Sequence, residues 1–236
     1  MPPEDTGATG VVAGVRGESA GFETKSYEGH YEGTALLAAL ETRRFRANAV
    51  LPAYRIVRNG LAAEGLGDVL LQGGVVVLRS SEPRRTLGVD LGVSLPTGEV
   101  ESDLGMGHVM LLPSVWGGWQ AGPLGFTARA GYARALASSG HAHHHGDGHS
   151  PIVDPMNSSE LDLGAVASLE LGRSVAMRAG AYGALPVGIS DGAGRAAALV
   201  GAGLAGRRVA SEVQVHLPLA GDPFTAKLLL ELRFRL

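Results

Sequence analysis

The clearest fold signal lies in residues 226–236, which read AKLLLELRFRL. Apolar residues fill every even-numbered position, while Lys227, Glu231, Arg233 and Arg235 share the odd-numbered positions with Leu229. Successive side chains of a β-strand point to opposite faces, whereas an α-helix would mix the two sets. The segment is therefore predicted to be a strand with one apolar and one polar face.

The same alternation recurs along the chain. In residues 87–95, leucine and valine alternate with glycine, Asp90 and Ser94, and residues 159–171 repeat the pattern. Most segments reach the roughly 9–11 residues that a tilted strand needs to cross a bilayer. Turn-forming residues divide the chain into about twelve predicted strands: 8–18, 30–41, 44–57, 66–79, 85–96, 107–119, 123–136, 159–171, 175–187, 194–206, 210–218 and 224–236.

The connections between these segments alternate in length. Short ones fall at 42–43, 80–84, 122, 172–174 and 207–209, and longer ones at 19–29, 58–65, 97–106, 137–158, 188–193 and 219–223. Outer-membrane barrels have short periplasmic turns and long extracellular loops. The pattern predicts an all-β fold, an antiparallel up-and-down transmembrane β-barrel of about 12 strands. Residues 1–236 form its single domain, with a disordered start at 1–7, both termini in the periplasm and a long His-rich extracellular loop at 137–158.

Composition supports this prediction without deciding it. The 236 residues carry a net charge of −3 and no cysteine, so we expect neither a disulfide framework nor a nucleic-acid partner. No stretch approaches the roughly 18 consecutive apolar residues of a membrane-spanning helix. Phe45, Trp119, Phe126 and Phe234 lie near the short-turn ends and could form an inner aromatic girdle, and Phe224 is the best candidate for the outer one. A soluble β-protein with one buried face would show the same alternation.

The predicted location is the bacterial outer membrane. Residues 1–5 lack the charged and apolar regions of a signal peptide, and we expect that such a signal has been removed. The expected partners are outer-membrane lipid, a small-molecule solute and the barrel assembly machinery. That machinery usually reads a terminal aromatic residue, whereas this chain ends in Leu236, with Phe234 one outward position earlier.

Two short motifs resemble a known family. Gly65-Leu66-Gly67-Asp68 opens one predicted strand, and residues 92–98, GVSLPTG, close the next. The pairing is similar to an outer-membrane β-barrel family labelled as a putative phenol-degradation meta-pathway transporter. That resemblance implies passage of small, hydrophobic molecules. The residues themselves predict a sharp turn at the glycines and a strand end at Pro96, which cannot donate to the ladder.

The lumen is the first candidate site. Charged side chains on the inward face are tolerated because the interior is wet or mutually paired. The residues fit two interpretations, a polar conduit or a salt-bridge network that plugs a narrow barrel. The predicted lumen-lining residues are Asp68, Asp90, Asp162, Glu170, Arg178, Glu212, His216, Lys227, Glu231 and Arg233.

The second candidate site is the histidine-rich stretch 140–149. Neutral imidazoles bind Zn²⁺, Cu²⁺ and Ni²⁺, and glycines at 140, 146 and 148 allow the ligands to converge. The alternative is a tolerated low-complexity insertion whose metal affinity is incidental. No cofactor is required by this reading. The candidate ligands are His141, His143, His144, His145, Asp147 and His149.

Catalysis is not predicted. Ser114, His108 and His216 are ingredients of a Ser–His arrangement, but no G-x-S-x-G elbow is present. The sequence favours a passive channel or uptake barrel for small, hydrophobic or aromatic molecules. The alternatives are a metal-binding surface barrel that uses the histidine-rich loop and a plugged structural barrel.

Overall fold

The computed structural model describes residues 10–23, 28–81, 84–136, 153, 156–188, 193–221 and 223–236. No helix among them is long and apolar enough to span a membrane. The described residues form thirteen strands: β1 (Gly10–Glu23), β2 (Glu28–Glu41), β3 (Phe45–Arg58), β4 (Leu61–Leu66), β5 (Val69–Ser81), β6 (Arg84–Leu95), β7 (Met110–Ala121), β8 (Leu124–Ala135), β9 (Ser159–Leu171), β10 (Val175–Pro186), β11 (Arg195–Ala205), β12 (Val209–Ala220) and β13 (Phe224–Arg235).

These strands close into one antiparallel barrel. Consecutive strands pair with each other except β4 and β5, and β1 also pairs with β13, which joins the two ends of the sheet. Strand β3 pairs with β4 along residues 53–58 and with β5 along residues 45–50. The short β4 and the longer β5 therefore act as one barrel strand, interrupted at residues 67–68. The predicted fold, an up-and-down barrel of twelve strands, is confirmed.

The barrel has two different ends. We call the end at which β1 begins and β13 ends, with the connections 42–44, 122–123, 172–174 and 206–208, the turn end, and the opposite end the loop end. Two predicted long loops are wrong. β1 extends to residue 23, so most of 19–29 is strand, and 58–65 is a hairpin. Asn59 and Gly60 both have positive φ, 47° and 83°, as a two-residue type I′ turn requires.

The outer face of the barrel is apolar. On β6 the outward Leu87, Val89 and Leu91 are 41–51 % exposed, while the inward Asp90 between them is 6 % exposed. A belt of exposed leucine and valine on every side is stable only against hydrocarbon. At the turn end the belt carries Phe45, Trp119, Phe126 and Phe234, all exposed, with Trp119 directly opposite Phe126.

The prediction for Phe224 is wrong. Its side chain is buried inside the barrel rather than exposed on an outer girdle. The pairing of β1 with β13 shifts register between Gly21 and Phe22, so Phe22 lies opposite Phe224 instead of Thr225. A one-residue shift moves a side chain to the other face of a sheet, and here it turns an aromatic ring inward.

Candidate functional site

The middle of the lumen is organised by a buried carboxylate. Asp90 accepts hydrogen bonds from Arg46 Nε at 2.9 Å, Gln72 Nε2 at 3.0 Å and Trp116 Nε1 at 3.2 Å. The Arg46 guanidinium also stacks 4.2 Å from the Trp116 ring centroid. A Cβ on Gly74 would collide with the Asp90 carboxylate, so that position needs glycine. The cluster ties together β3, β5, β6 and β7.

A second polar chain runs along β12. Glu212 pairs with Arg178 and accepts a hydrogen bond from the side-chain Nε2 of Gln214 at 2.8 Å. Gln214 therefore presents its Oε1 to His216 Nε2, 2.9 Å away, so this nitrogen donates. The other ring nitrogen, Nδ1, then accepts from the Tyr182 hydroxyl at 2.8 Å. Both ring nitrogens of His216 and both ends of the Gln214 side-chain amide therefore have a partner.

The seam between the first and last strands carries its own ion pairs. Arg16 Nε donates to Glu231 at 2.9 Å from the directly opposite position, and Arg233 pairs with the same carboxylate. Farther toward the loop end, Lys227 Nζ lies 3.4 Å from Glu18. Charged pairs thus bridge the seam at two levels.

The lumen is filled with apolar side chains at the loop end. Tyr31 and Tyr54 pack edge to face, with ring centroids 6.1 Å apart. Lys227 Nζ lies 5.7 Å from the rings of Tyr31 and Phe224, close enough for cation–π attraction. We call this group the apolar plug; it consists of Ala20, Phe22, Tyr31, Tyr54, Ile56, Leu104, Val153 and Phe224. Leu104 and Val153 come from connecting segments, and the other members come from strands.

The loop 96–109, which supplies Leu104, is held by Asp68. The two carboxylate oxygens accept the backbone N–H groups of Gly98 at 2.9 Å and Met106 at 2.7 Å. The Thr97 hydroxyl donates to the Gly67 carbonyl at 2.7 Å. The two motifs that carry the family resemblance are therefore in direct contact. Asp68 acts as a clasp for the loop.

Further contacts fix the same loop. Arg58, at the end of β3, pairs with Asp103. His108 is half-buried, and its Nε2 has no hydrogen-bond partner among the described residues. Burial lowers the pKa of His108 below its ordinary 6.5 because desolvation penalises imidazolium, although the Asp68 carboxylate and a hydrogen bond to the Met106 backbone oppose the shift.

The opposite wall at the loop end holds a buried glutamate. Glu160 is 1 % exposed and accepts Arg195 Nη2 at 3.0 Å. It also accepts the Asn157 backbone N–H at 2.8 Å and side-chain Nδ2 at 2.7 Å. Asn157 in turn bonds both backbone polar groups of Ala193. Asp162 lies within electrostatic range of Glu160 and Arg195. Two connecting segments are thereby fastened to the barrel wall.

The turn end encloses a cavity of about 860 Å³. Residues from most strands of the barrel line this cavity. Glu170 lines it and accepts Gln120 Nε2 at 2.8 Å. Asn48, which points inward and lines the cavity, is exposed, unlike the inward residues near the plug. The charged members of its lining are Arg16, Arg84, Arg173, Arg178, Arg207, Arg208, Arg233 and Arg235 together with Glu41, Glu170, Glu212 and Glu231.

The structure separates the ten predicted lumen residues into several places. Arg178, Glu212 and His216 share one network, and Glu231 and Arg233 share another. Asp90 centres the middle cluster, and Glu170 lies in the cavity. Toward the loop end lie Lys227 beside the plug, Asp162 beside Glu160 and Asp68 at the clasp.

The six predicted metal ligands at 141–149 all lie outside the described residues. Within the part of the chain that the structure describes, no group of three or more His, Cys, Asp or Glu side chains is placed to hold a metal ion.

Several residues of the lumen were missed. Trp116 and Tyr182 have the inward parity of their strands, and that parity would have identified them. Asn157 and Leu104 sit in connecting segments, where no periodicity marks a residue that folds back into the barrel. Arg195 is the first residue of β11, at the boundary where sequence patterns are least reliable.

The ingredients of a Ser–His arrangement are not assembled. The partners of His216 are Tyr182 and Gln214. The Ser114 hydroxyl has no hydrogen-bond partner among the described residues, and therefore none to His108 or His216.

Comparison with solved structures places the fold among outer-membrane barrels. The COG4313 outer membrane channel from Pseudomonas putida F1 is 13 % identical, covers 100 % of both chains and has a TM-score of 0.74. The β domain of the Bordetella autotransporter BrkA is 13 % identical over 96 % of this chain and 99 % of that one, with a TM-score of 0.54. The translocator domain of the autotransporter NalP from Neisseria meningitidis is 14 % identical over 100 % and 91 %, with a TM-score of 0.52.

No protein-family model matches the sequence, and no curated protein matches it. At these identities the similarity concerns the fold, which is that of a membrane-spanning β-barrel.

Proposed function

We propose that the chain is a bacterial outer-membrane channel through which small molecules pass passively. The observation that carries the proposal is the 860 Å³ cavity inside a closed barrel whose outer face is apolar. An apolar exterior suits lipid, and a polar, water-accessible interior suits solute. The fold similarity to a solved outer membrane channel along the whole chain supports the same function.

In this proposal the turn end faces the periplasm and the loop end faces outward. Short turns and both termini on the periplasmic side are the usual arrangement of bacterial barrels. The apolar plug then closes the outer entrance, with Leu104 as its loop-borne part. The barrel is dry at the plug and open below it, so a solute passes only when the plug opens.

Single-channel recording in planar bilayers tests this function. Because the plug is dry, the wild-type protein is expected to give brief current steps when the plug opens, and Leu104→Ser is expected to make them more frequent because it places a hydroxyl in the plug. Leu61→Ser is the matched control, since Leu61 is 79 % exposed and outside the plug. Absence of current from both the wild type and Leu104→Ser would rule out a channel.

For the solute we propose small apolar or aromatic molecules. The family resemblance implies this class, and the plug through which the solute would pass contains the rings of Phe22, Tyr31, Tyr54 and Phe224. Catechol added to the bilayer chamber is expected to reduce the current more than glycerol does, and Tyr54→Ala is expected to weaken that block. Equal effects of both solutes would remove the aromatic preference.

The proposed partners are outer-membrane lipid and the barrel assembly machinery. The exposed Phe234 of β13 belongs to the apolar outer face that would contact the lipid. A folded membrane barrel migrates differently on gels before and after boiling, and this protein is expected to show that shift in detergent. A protein that stays soluble without detergent and shows no shift would contradict the location.

A second candidate function is metal binding by residues 141–149, proposed from the sequence alone. Five histidines and Asp147 within nine positions offer the three or four ligands that Zn²⁺ or Cu²⁺ takes. Calorimetric titration of the full chain with Zn²⁺, beside a deletion of 141–149, measures it. Identical heats from the two proteins would exclude the site.

A further inference from the structure

The charges around the turn-end cavity are strongly unbalanced. Its described lining contains eight arginines and four glutamates, an excess of four positive charges in a chain whose net charge is −3. No lysine, histidine or aspartate is among these lining residues. The cavity is therefore a local exception to the charge of the whole molecule.

The arginines surround the cavity rather than forming a patch on one side. They come from β1, β6, β10 and β13 and from the turns 172–174 and 206–208. Arg84 shares the parity of the inward Asp90 on β6, and Arg235 that of the inward Glu231 on β13. Since β6 and β13 lie nearly opposite in the barrel order, the two side chains face the cavity from two sides.

Only some of these arginines are neutralised. Arg16 and Arg233 share Glu231, and Arg178 pairs with Glu212. Neither Arg84 nor Arg235 has an ion pair among the residues that the structure describes. A concave site with low-dielectric walls focuses the field of such charges and raises the local concentration of the opposite ion.

We infer that the turn-end cavity is an anion-binding mouth that admits small oxyanions, carboxylates and phosphates, in preference to cations. Guanidinium groups match these anions because their N–H donors form a planar fork that binds two oxygens at once. Rings of arginine or lysine serve the same purpose in anion-selective pores. The inference rests on the proposed channel function for selectivity, but not for anion binding.

Selectivity is measured as the reversal potential across a bilayer with a tenfold KCl gradient. The wild type is expected to favour chloride roughly threefold over potassium, a modest effect for a focused field of this size. Arg84→Gln/Arg235→Gln is expected to bring the ratio near one. Arg85→Gln is the control, because Arg85 is adjacent to Arg84 but falls on the outer face. Cation preference in the wild type, or an equal change in the control, would overturn the inference.

Binding is measured separately, by equilibrium dialysis of inorganic phosphate against the full chain in non-ionic detergent. The double variant is expected to lose most of the bound phosphate while keeping the gel shift of a folded barrel. Arg207→Gln/Arg208→Gln tests a lipid headgroup as the source of the anion, because both residues lie on a turn at the rim. Loss of binding in the rim variant alone would overturn a mouth for solutes.

The two measurements separate the possible failures. A protein that binds phosphate through Arg84 and Arg235 but carries no current has lost the proposed channel function and kept the anion site. A protein that carries current but binds no phosphate and selects no anion has kept the channel and lost this inference.

Discussion

Glu160 at the loop end and Glu212 at the turn end are both inward glutamates paired with an arginine two strands away. Glu160 is 1 % exposed and is enclosed by two connecting segments, whereas Glu212 lines an open cavity. The same chemical pair is thus placed once in a dry setting and once beside water. The effective dielectric differs between them, and the contribution of each pair to stability must differ with it.

The two ends of the barrel differ in the same way as these two glutamates, one dry and the other beside water. The loop end is packed by the apolar plug and by connections that are fastened to the wall. The turn end has a hollow interior and an excess of arginine. The contrast indicates that the loop end supplies most of the interior packing energy, while the turn end supplies the environment for solute.

The largest effect is expected in the plug. Ile56→Ala should lower the free energy of unfolding by about 4 kcal/mol, because Ile56 is 1 % exposed and the lost contacts leave a cavity. Val50→Ala, on the same strand and face but lining the turn-end cavity, should cost only about 1 kcal/mol. Urea unfolding in lipid vesicles measures both. Equal costs would show that the two ends are packed alike.

The two glutamates give the next contrast. Glu160→Gln should cost roughly 3 kcal/mol, at the low end for a buried pair because Asp162 can take over part of the interaction with Arg195. Glu212→Gln should cost about 1 kcal/mol, since cavity water can solvate Arg178. The same unfolding assay applies to both. A larger loss from Glu212→Gln would reverse the assignment of the dry and wet ends.

The clasp comes third. Asp68→Ala should weaken the loop 96–109 by about 2 kcal/mol, because the backbone N–H groups of Gly98 and Met106 lose their acceptors. Hydrogen exchange at these two amides should accelerate accordingly. Glu64→Ala is the control, since Glu64 is exposed and its ion pair with Arg55 lies on the outer surface. Unchanged exchange in Asp68→Ala would mean that other contacts hold the loop.

The smallest effect is the pH dependence of the same loop. The folded-state pKa of His108 lies below the unfolded value near 6.5, so the unfolded chain binds the proton more readily. The stabilising effect of a neutral His108 is therefore complete above about pH 6.5 and is lost as the pH falls toward the lower folded value. The urea midpoint should drop slightly more between pH 7.5 and 5.5 in the wild type than in His108→Gln. A steeper drop in the variant would contradict this sign.

The strand positions could be predicted because each strand has one face toward lipid and the other toward the lumen. Residues 159–171, 175–187 and 224–236 were bounded to within one residue, since lipid and lumen impose strict alternation. The hairpin at Asn59-Gly60 was missed although the dipeptide is a strong turn signal, because the following short strand lacks a clear apolar face.

The interior was harder to predict than the wall. Alternation indicates that Asp90, Glu212 and Glu231 point inward, but it does not indicate which arginine each one meets across the lumen. The plug depends on Leu104 and Val153, two residues from connecting segments that carry no periodic signal. Contacts of this kind arise from the path of a loop in three dimensions.

The seam between β1 and β13 also constrains how the chain folds. Arg16 and Glu231, which meet across it, are 215 positions apart in the chain. Bringing such distant segments together carries a large loop-closure entropy, so closure is expected to be a late and slow step. Until then both strands are free edges that can pair with another chain. Weakening the seam would therefore first appear as aggregation during assembly, before any change in the finished barrel.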